Sequence, residues 1–396
     1  MKAIINFFCF IFLITLWCPF VYLDLRRPFY PSPSISTLTR RNTSQQLTNT
    51  NTRTSSQKTV NDFFKSYPRY DEVSRFLSYL VSTYPSLSSL ETIGQSFESR
   101  PLQIIRIGST PIVSPNTRNP PAKPILWIDA GIHAREWIAP ITALYIAHRL
   151  VNDYQTDPVT KNLVDTFDWR ILPIANPDGY EYSHTTDRMW RKTRSRNSSV
   201  PSCVGVDANR NFNFHWMESG SSSNPCAEIY AGSKPFSEPE SKAIAAYLMK
   251  YQQRVKLYLT FHSYGQQWLY PWGYAADKTD RDNDLEKKAL VAVQSISSKY
   301  GTKYELGPSG IKLYPAAGGS DDWALGVAKI PYSYTVELRP NFEDPLGFIL
   351  PVEQIKPTGD ETWTGVKQLA VEIAKDLPKP KRASGRSPSP RLRSRG

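Results

Sequence analysis

The sequence predicts an α/β fold: a single domain with a twisted, mixed, mostly parallel sheet covered by helices on both faces. Strand-like apolar runs alternate with helical patterns of about ten to fifteen residues, the pattern that builds βαβ units. A chain of 396 residues, 40% hydrophobic and 12% aromatic, suffices for one large core with tails. No internal repeat points to a solenoid or propeller.

Taken in order, residues 4 to 23 (IINFFCFIFLITLWCPFVYL) form an uncharged run after Lys2, which reads as the apolar part of a secretory signal within residues 1–23. No small-residue cleavage site stands out. The run also approaches the roughly 20 residues that span a bilayer, so an uncleaved single-pass anchor stays open. Residues 24–60 are rich in Ser, Thr and Asn with few apolar side chains, and are expected to be disordered. The domain is expected over 61–377. It opens its regular pattern with a strand at 125–130 (ILWIDA), a helix at 138–152 and a strand at 169–175. A helix at 238–251 follows, capped by Ser237 with Glu240 three residues on. A strand at 255–261, a helix at 284–299, a strand at 332–338 and a helix at 358–375 complete it. Residues 378–396 form a basic tail expected to be disordered. In such sheets ligands bind beyond the carboxyl ends of the strands.

The formal net charge of +12 resembles a nucleic-acid or membrane signature, but it sits in the tails. Residues 1–60 carry seven Lys/Arg and one Asp, and residues 379–396 carry seven Lys/Arg and no acid. Between them 34 Lys/Arg stand against 35 Asp/Glu, so the body lacks the clustered cations of a phosphate-tracking surface. Cys9 and Cys18 lie in the apolar run, which leaves Cys203 and Cys226 for a disulfide or for two buried thiols. Asn42 and Asn197 head glycosylation acceptor patterns, in keeping with a secreted chain.

His133 and Glu136 sit in GIHAREW, just past the strand ILWIDA. An imidazole and a carboxylate at i and i+3 converge if the segment begins a helical turn, and the pair suits Zn²⁺. HxxE alone is a weak signal. His262 ends the run VKLYLTF, either as a third ligand or as a hydrogen-bonded core histidine. His148, His184 and His215 have no carboxylate at ligand spacing in this reading and are taken as structural.

The motifs GIHAREW, NPDGY, RMWRKTR, GVDANRNF, FHSYGQ, YPAAGGSDDW and YTVELRP follow one another in this order. In that order the chain resembles, over roughly residues 65 to 375, the zinc carboxypeptidases of the carboxypeptidase A and B type, most of all carboxypeptidase B. The resemblance implies one Zn²⁺ per chain on His133, Glu136 and His262; that ligand set is the family's own and is not deduced from spacing. It also implies Glu337 as the base that takes a water's proton, and Arg191 facing the developing oxyanion. Asn209 and Arg210 correspond to the grip on the substrate's terminal carboxylate. Tyr314 corresponds to the tyrosine closing over the bound residue, Asp207 to the carboxylate behind His133, and Arg135 to an outer contact. From the residues alone, Glu337 is also a strand-end acid paired with Arg339, Arg191 part of a solvated charge run, and Tyr314 a loop aromatic.

The resemblance further implies hydrolysis at peptide or protein C-termini by a monomer without a nucleic-acid or obligate partner. Asp321 falls on the floor of the terminal-residue pocket, a position that is aspartate in the B type and aliphatic in the A type. Arg or Lys release is therefore expected; aromatic or aliphatic release is the alternative, and Asp321 turned toward Lys312 or Lys329 would favour it. Gly273 and Ser309 leave room for a long side chain. A non-catalytic peptide-binding module is a third reading, against which stand the retained ligands, Glu337 and Arg210. Two features depart from the family. The interval before residue 61 is short for a folded inhibitory prosegment, and PNFEDPLGF after Arg339 differs from the usual loop.

Overall fold

The computed structural model describes residues 60–109, 122–196 and 199–378, all within one compact unit spanning Gln57–Gly396. The apolar run at 4–23, nearly all of the polar segment 24–60, the patterns at Asn42 and Asn197, and the tail beyond 378 lie outside the described residues. In chain order the elements are α1 (Val60–Phe63), α2 (Tyr70–Thr83), β1 (Ser88–Gln95), β2 (Pro101–Ile107), β3 (Ile125–Ala130), α3 (Ile138–Asn152), α4 (Pro158–Thr166), β4 (Asp168–Leu172) and α5 (Pro177–Thr185). There follow α6 (Pro239–Tyr251), β5 (Val255–Gly265), β6 (Gln267–Tyr270), α7 (Asp282–Tyr300), β7 (Glu305–Pro308), α8 (Ser309–Lys312), α9 (Ser320–Gly326), β8 (Tyr332–Asn341) and α10 (Ile355–Ala374).

The strands form one sheet in the order β1-β2-β4-β3-β5-β8-β6-β7. β4, β3, β5 and β8 run parallel, β1 and β2 form an antiparallel edge, and β6 pairs antiparallel with β8. β3 shows why helices must cover both faces: Leu126 and Ile128 enter an apolar core with α3, α7 and α10, while Ile125 and Trp127 enter a second with α6 and α9. Strands buried on both faces read as continuous apolar runs, which is the form of ILWIDA. Register then places the chemistry, because the β5–β8 pairing sets His262 beside Glu337 at the carboxyl ends of the parallel strands.

Several expected boundaries shift: β5 runs on to Gly265, β8 to Asn341, and α7 spans Asp282–Tyr300. α6 starts at Pro239 with Glu238, not Ser237, at its cap position, since a proline is preorganised for the first helical turn. The Ser237 hydroxyl instead donates to Glu238 (2.9 Å). β4 stops at Leu172 rather than 175, because Pro173 has no N–H to extend a ladder. α10 begins at Ile355, ahead of the expected 358.

The hairpin β1–β2 was not foreseen, and side chains remote in sequence fasten its tip. Asp178 accepts from Ser96 Oγ (2.6 Å), Glu98 N (2.7 Å) and Arg100 Nη1 (2.7 Å), and Glu240 Oε1 accepts from Phe97 N (3.1 Å). Glu240 is 1% exposed and its Oε2 has no partner among the described residues. Burial, with Glu238 adding to it, pushes its carboxyl up to about 8. A folded pKa above the ordinary 4.5 means the folded chain keeps a proton that the unfolded chain releases, so stability falls as pH rises between those values. Glu240→Gln is expected to remove that fall and to raise the urea midpoint at pH 8 relative to wild type more than at pH 5. Parallel midpoints at both pH values would contradict it.

Candidate metal and peptide site

The site begins where β3 ends. Gly131 adopts φ +66°, and a Cβ there would also lie 2.8 Å from Pro140 Cγ, so a residue with a side chain is strained at this turn. The turn carries His133 and Glu136, closed by Glu136 N donating to His133 O (3.3 Å). Asn176 of the NPDGY motif explains the turn's fixed place: its Nδ2 donates to Ile132 O (3.2 Å) and Lys192 O (3.0 Å), while its Oδ1 accepts from Gly179 N (2.9 Å). One side chain thereby caps α5 and ties the His133 turn to the segment bearing Arg191.

His133, Glu136 and His262 are buried, and their ligand atoms lie within 4.8 Å of one another. His133 Nδ1 is 2.7 Å from Glu136 Oε1 and 3.1 Å from His262 Nδ1, and His262 Nδ1 is 3.1 Å from Glu136 Oε2. Two imidazole nitrogens facing each other share at most one proton, so the arrangement suits a cation. Zinc with ligands at about 2.0–2.1 Å spaces its donors roughly 3.3 Å apart, which the three groups match closely. Burial alone would raise Glu136, but His133 and His262 outweigh it and hold the carboxyl well below its usual range. Burial likewise depresses His262, yet Glu136 prevails and lifts it to about 9. His133 is lowered by burial and by Arg191. The donor set fits zinc.

Behind the triad, Asp207 Oδ1 lies 3.2 Å from His133 Nε2, and Oδ2 accepts from Arg191 Nε (3.0 Å) and Nη2 (2.8 Å). Arg191, Arg210 and His133 overcome the effect of burial and keep Asp207 ionised far below the usual carboxylate range. Asp207 also accepts from Asn209 N (3.0 Å), closing the 3-10 turn Ala208–Arg210 that turns Arg210 into the site. Arg210 donates through Nε to Gly220 O (2.9 Å) and through Nη1 to Asn209 O (2.9 Å). An acceptor behind a ligating imidazole fixes its tautomer and orientation. Asp207→Asn is therefore expected to weaken zinc binding about 10- to 100-fold, measured by competition with a chelator of known affinity. Unchanged affinity would leave Asp207 with only a structural part.

A cavity of about 280 Å³ joins the triad to Arg135, Arg191, Asn209, Arg210, Tyr314, Asp321 and Glu337. Glu337 is half-buried and does not pair with Arg339, whose guanidinium binds Glu361 and Gln354 instead. Asp321 is 6% exposed, and no cation among the described residues lies within ion-pair distance of it. Lys312 faces Glu305 instead (3.8 Å). Neighbouring Asp322 is held by the N–H groups of Gly273 (2.8 Å) and Tyr274 (2.8 Å), and burial together with Asp321 raises its pKa well above the usual range. Gly318, at φ +75°, lets this stretch approach Arg210, where an added Cβ would lie 2.3 Å from the backbone oxygen. Tyr314 is 59% exposed. Gly273 and Ser309 line the same cavity.

Sequence reading missed the aromatic wall of Tyr264, Phe342 and Phe348 in this cavity. Arg135 lies over the Phe348 ring (4.4 Å), and Tyr264 packs edge-on against Phe348 (4.9 Å). The signals were the unusual loop after Arg339 for Phe342 and Phe348, and the FHSYGQ motif for Tyr264. His184 stacks on Trp137 and His148 packs near Phe64, as structural histidines do. His215, however, does have a carboxylate at ligand spacing: Glu218, three residues on, is 2.6 Å from its Nδ1. That HxxE pair is partly exposed and has no third ligand in the described cluster, so the motif by itself marks no metal. Cys203 and Cys226 form a disulfide.

A sequence profile described as zinc carboxypeptidase matches residues 73–365. The chain is 46% identical over 306 residues to carboxypeptidase B of Astacus astacus, covering 77% of this chain and 96% of that protein. It is 42% identical over 315 residues to carboxypeptidase A2 of Rattus norvegicus, covering 80% and 72%. The solved structure of bovine thrombin-activatable fibrinolysis inhibitor in complex with tick carboxypeptidase inhibitor is similar with a TM-score of 0.72 and 36% identity, over 80% of this chain and 100% of that one. No described helix is long and apolar enough to cross a membrane.

Proposed function

The chain belongs to the zinc carboxypeptidase family, as a metallocarboxypeptidase that hydrolyses peptides at their C-termini, and on that premise we propose that it preferentially releases Arg and Lys. The observation that carries the specificity is Asp321, a nearly buried carboxylate in the peptide cavity with no cation of its own among the described residues. An unpaired buried charge is costly, so a guanidinium or ammonium entering the cavity is favoured over a phenyl ring. The test compares kcat/KM for hippuryl-Arg and hippuryl-Phe, with a preference for Arg expected.

In the proposed mechanism the substrate's terminal carboxylate meets Arg210 and Asn209. Arg210 spends Nε and Nη1 on backbone carbonyls, which fixes its plane and leaves Nη2 for the ligand. Arg191, held by Asp207, presents its remaining donor toward the oxygen that gains charge. His133, Glu136 and His262 would hold zinc, which would supply Lewis acidity to the scissile carbonyl and to a water. Glu337 takes the water's proton and returns it to the leaving amine. Tyr314, largely exposed, closes over the bound residue, and Arg135 with the aromatic wall contacts the peptide upstream. The same reading takes 61–377 as the catalytic domain of a monomer, secreted behind the apolar run at 4–23 and acting on peptide or protein C-termini.

A further inference from the structure

At the amino ends of the parallel strands, away from the catalytic edge, a second cavity of about 370 Å³ is lined by Arg106, Lys123, Arg254 and Asp168, with Ser86, Ser89 and Ser109 also in its wall. We propose that this cavity binds a tetrahedral oxyanion, a sulfate or phosphate group, free or as a terminal ester.

The charge balance is the argument. Arg106, Arg170 and Arg254 all converge on one oxygen, Asp168 Oδ2, at 3.1, 2.8 and 3.2 Å, and Lys123 lines the same cavity. Glu91 stands 3.9 Å from Arg106 and also accepts from Tyr247, while Asp165 is taken by Lys161 at 2.5 Å. Arg106, Arg170, Arg254 and Lys123 thus face Asp168 and Glu91, with Asp165, shared with Lys161, acting on Lys123 as a third carboxylate. Arg170 is buried and engaged with Tyr247 (2.7 Å), so it serves as scaffold. Arg106 Nε is a different case: it is shielded from solvent and has no partner among the described residues. Arg254 is anchored through Nε and Nη2 to Lys123 O (3.0 and 2.8 Å), which leaves its Nη1 available. Lys123 Nζ is saturated by Ser109 O, Ser109 Oγ and Val164 O, so it contributes charge while its neighbours contribute hydrogen bonds. Guanidinium groups match the geometry of sulfate and phosphate oxygens.

The test titrates inorganic phosphate into the full chain by calorimetry at constant ionic strength, with sodium chloride as control and glycerol 2-phosphate as a second ligand. Saturable binding is expected, about tenfold weaker in Arg106→Gln and in Arg254→Gln, the loss of one charge-assisted hydrogen bond. Arg210→Gln, in the peptide site, should leave it intact. Hippuryl-Arg hydrolysis unchanged in Arg106→Gln shows that this variant is folded. Glycerol 2-phosphate binding as well as phosphate supports the esterified form, and phosphate alone supports the free ion. The proposal is overturned by heats no larger than those of chloride, or by binding that survives both Arg106→Gln and Arg254→Gln, which would assign the anion to the peptide site or the basic tail.

Discussion

Glu337→Gln is expected to lower kcat by at least about 10²- to 10⁴-fold, the usual range for deleting a general base, while zinc content and inhibitor affinity stay at wild-type levels. The amide keeps the shape of the carboxylate and removes its basicity. The environment of Glu337 is what makes the loss large. Burial, reinforced by Glu136, pushes its carboxyl up to about 8, against the pull of His262, Arg191 and Arg210. A divalent cation on the neighbouring ligands adds to that pull, toward the pH range where a carboxylate is ionised yet still basic enough to accept a proton. Parallel pairing of β5 and β8 holds Glu337 beside His262, so the substitution alters chemistry without moving the ligands. Turnover equal to wild type in a zinc-loaded Glu337→Gln protein would remove this residue from the proton path.

Asp321→Ile should reverse the preference, losing roughly 30- to several thousand-fold in kcat/KM for hippuryl-Arg and gaining activity on hippuryl-Phe. The magnitude is that of removing one partner of a buried charge pair, about 2 to 5 kcal/mol. Asp322 cannot substitute for the missing carboxylate. Its oxygens are committed to the N–H groups of Gly273 and Tyr274, and its raised pKa favours the neutral form. Of the two lysines that would draw Asp321 aside, Lys312 faces Glu305 (3.8 Å), and neither Lys312 nor Lys329 forms an ion pair with Asp321 among the described residues. Equal wild-type kcat/KM on the two substrates would sink the specificity for Arg and Lys and leave the zinc chemistry untouched.

The amino-acid sequence alone determined the architecture of the parallel core and pointed to the three residues, His133, Glu136 and His262, that the fold brings together as a metal-binding cluster. ILWIDA, VKLYLTF and YSYTVEL are largely apolar because the strands they form are mostly buried on both faces, and α3 runs over the residues its periodicity predicts, Ile138–Asn152. The zinc ligands were legible because seven motifs occur in one order; HxxE alone was not enough, as His215 and Glu218 show. What only the tertiary structure decided rests on contacts between residues far apart in the chain. The edge hairpin β1–β2 is fastened by Asp178 and Glu240, and no local pattern announces a strand held from that distance. Asp207, expected behind His133, also holds Arg191, 16 residues away, a pairing that no motif states. The same holds for the solitude of Asp321 and for the crowding of Arg106, Lys123, Arg170 and Arg254. Sequence states which charges exist, but their energies depend on burial and on partners, and both are set when the sheet brings its strand ends together.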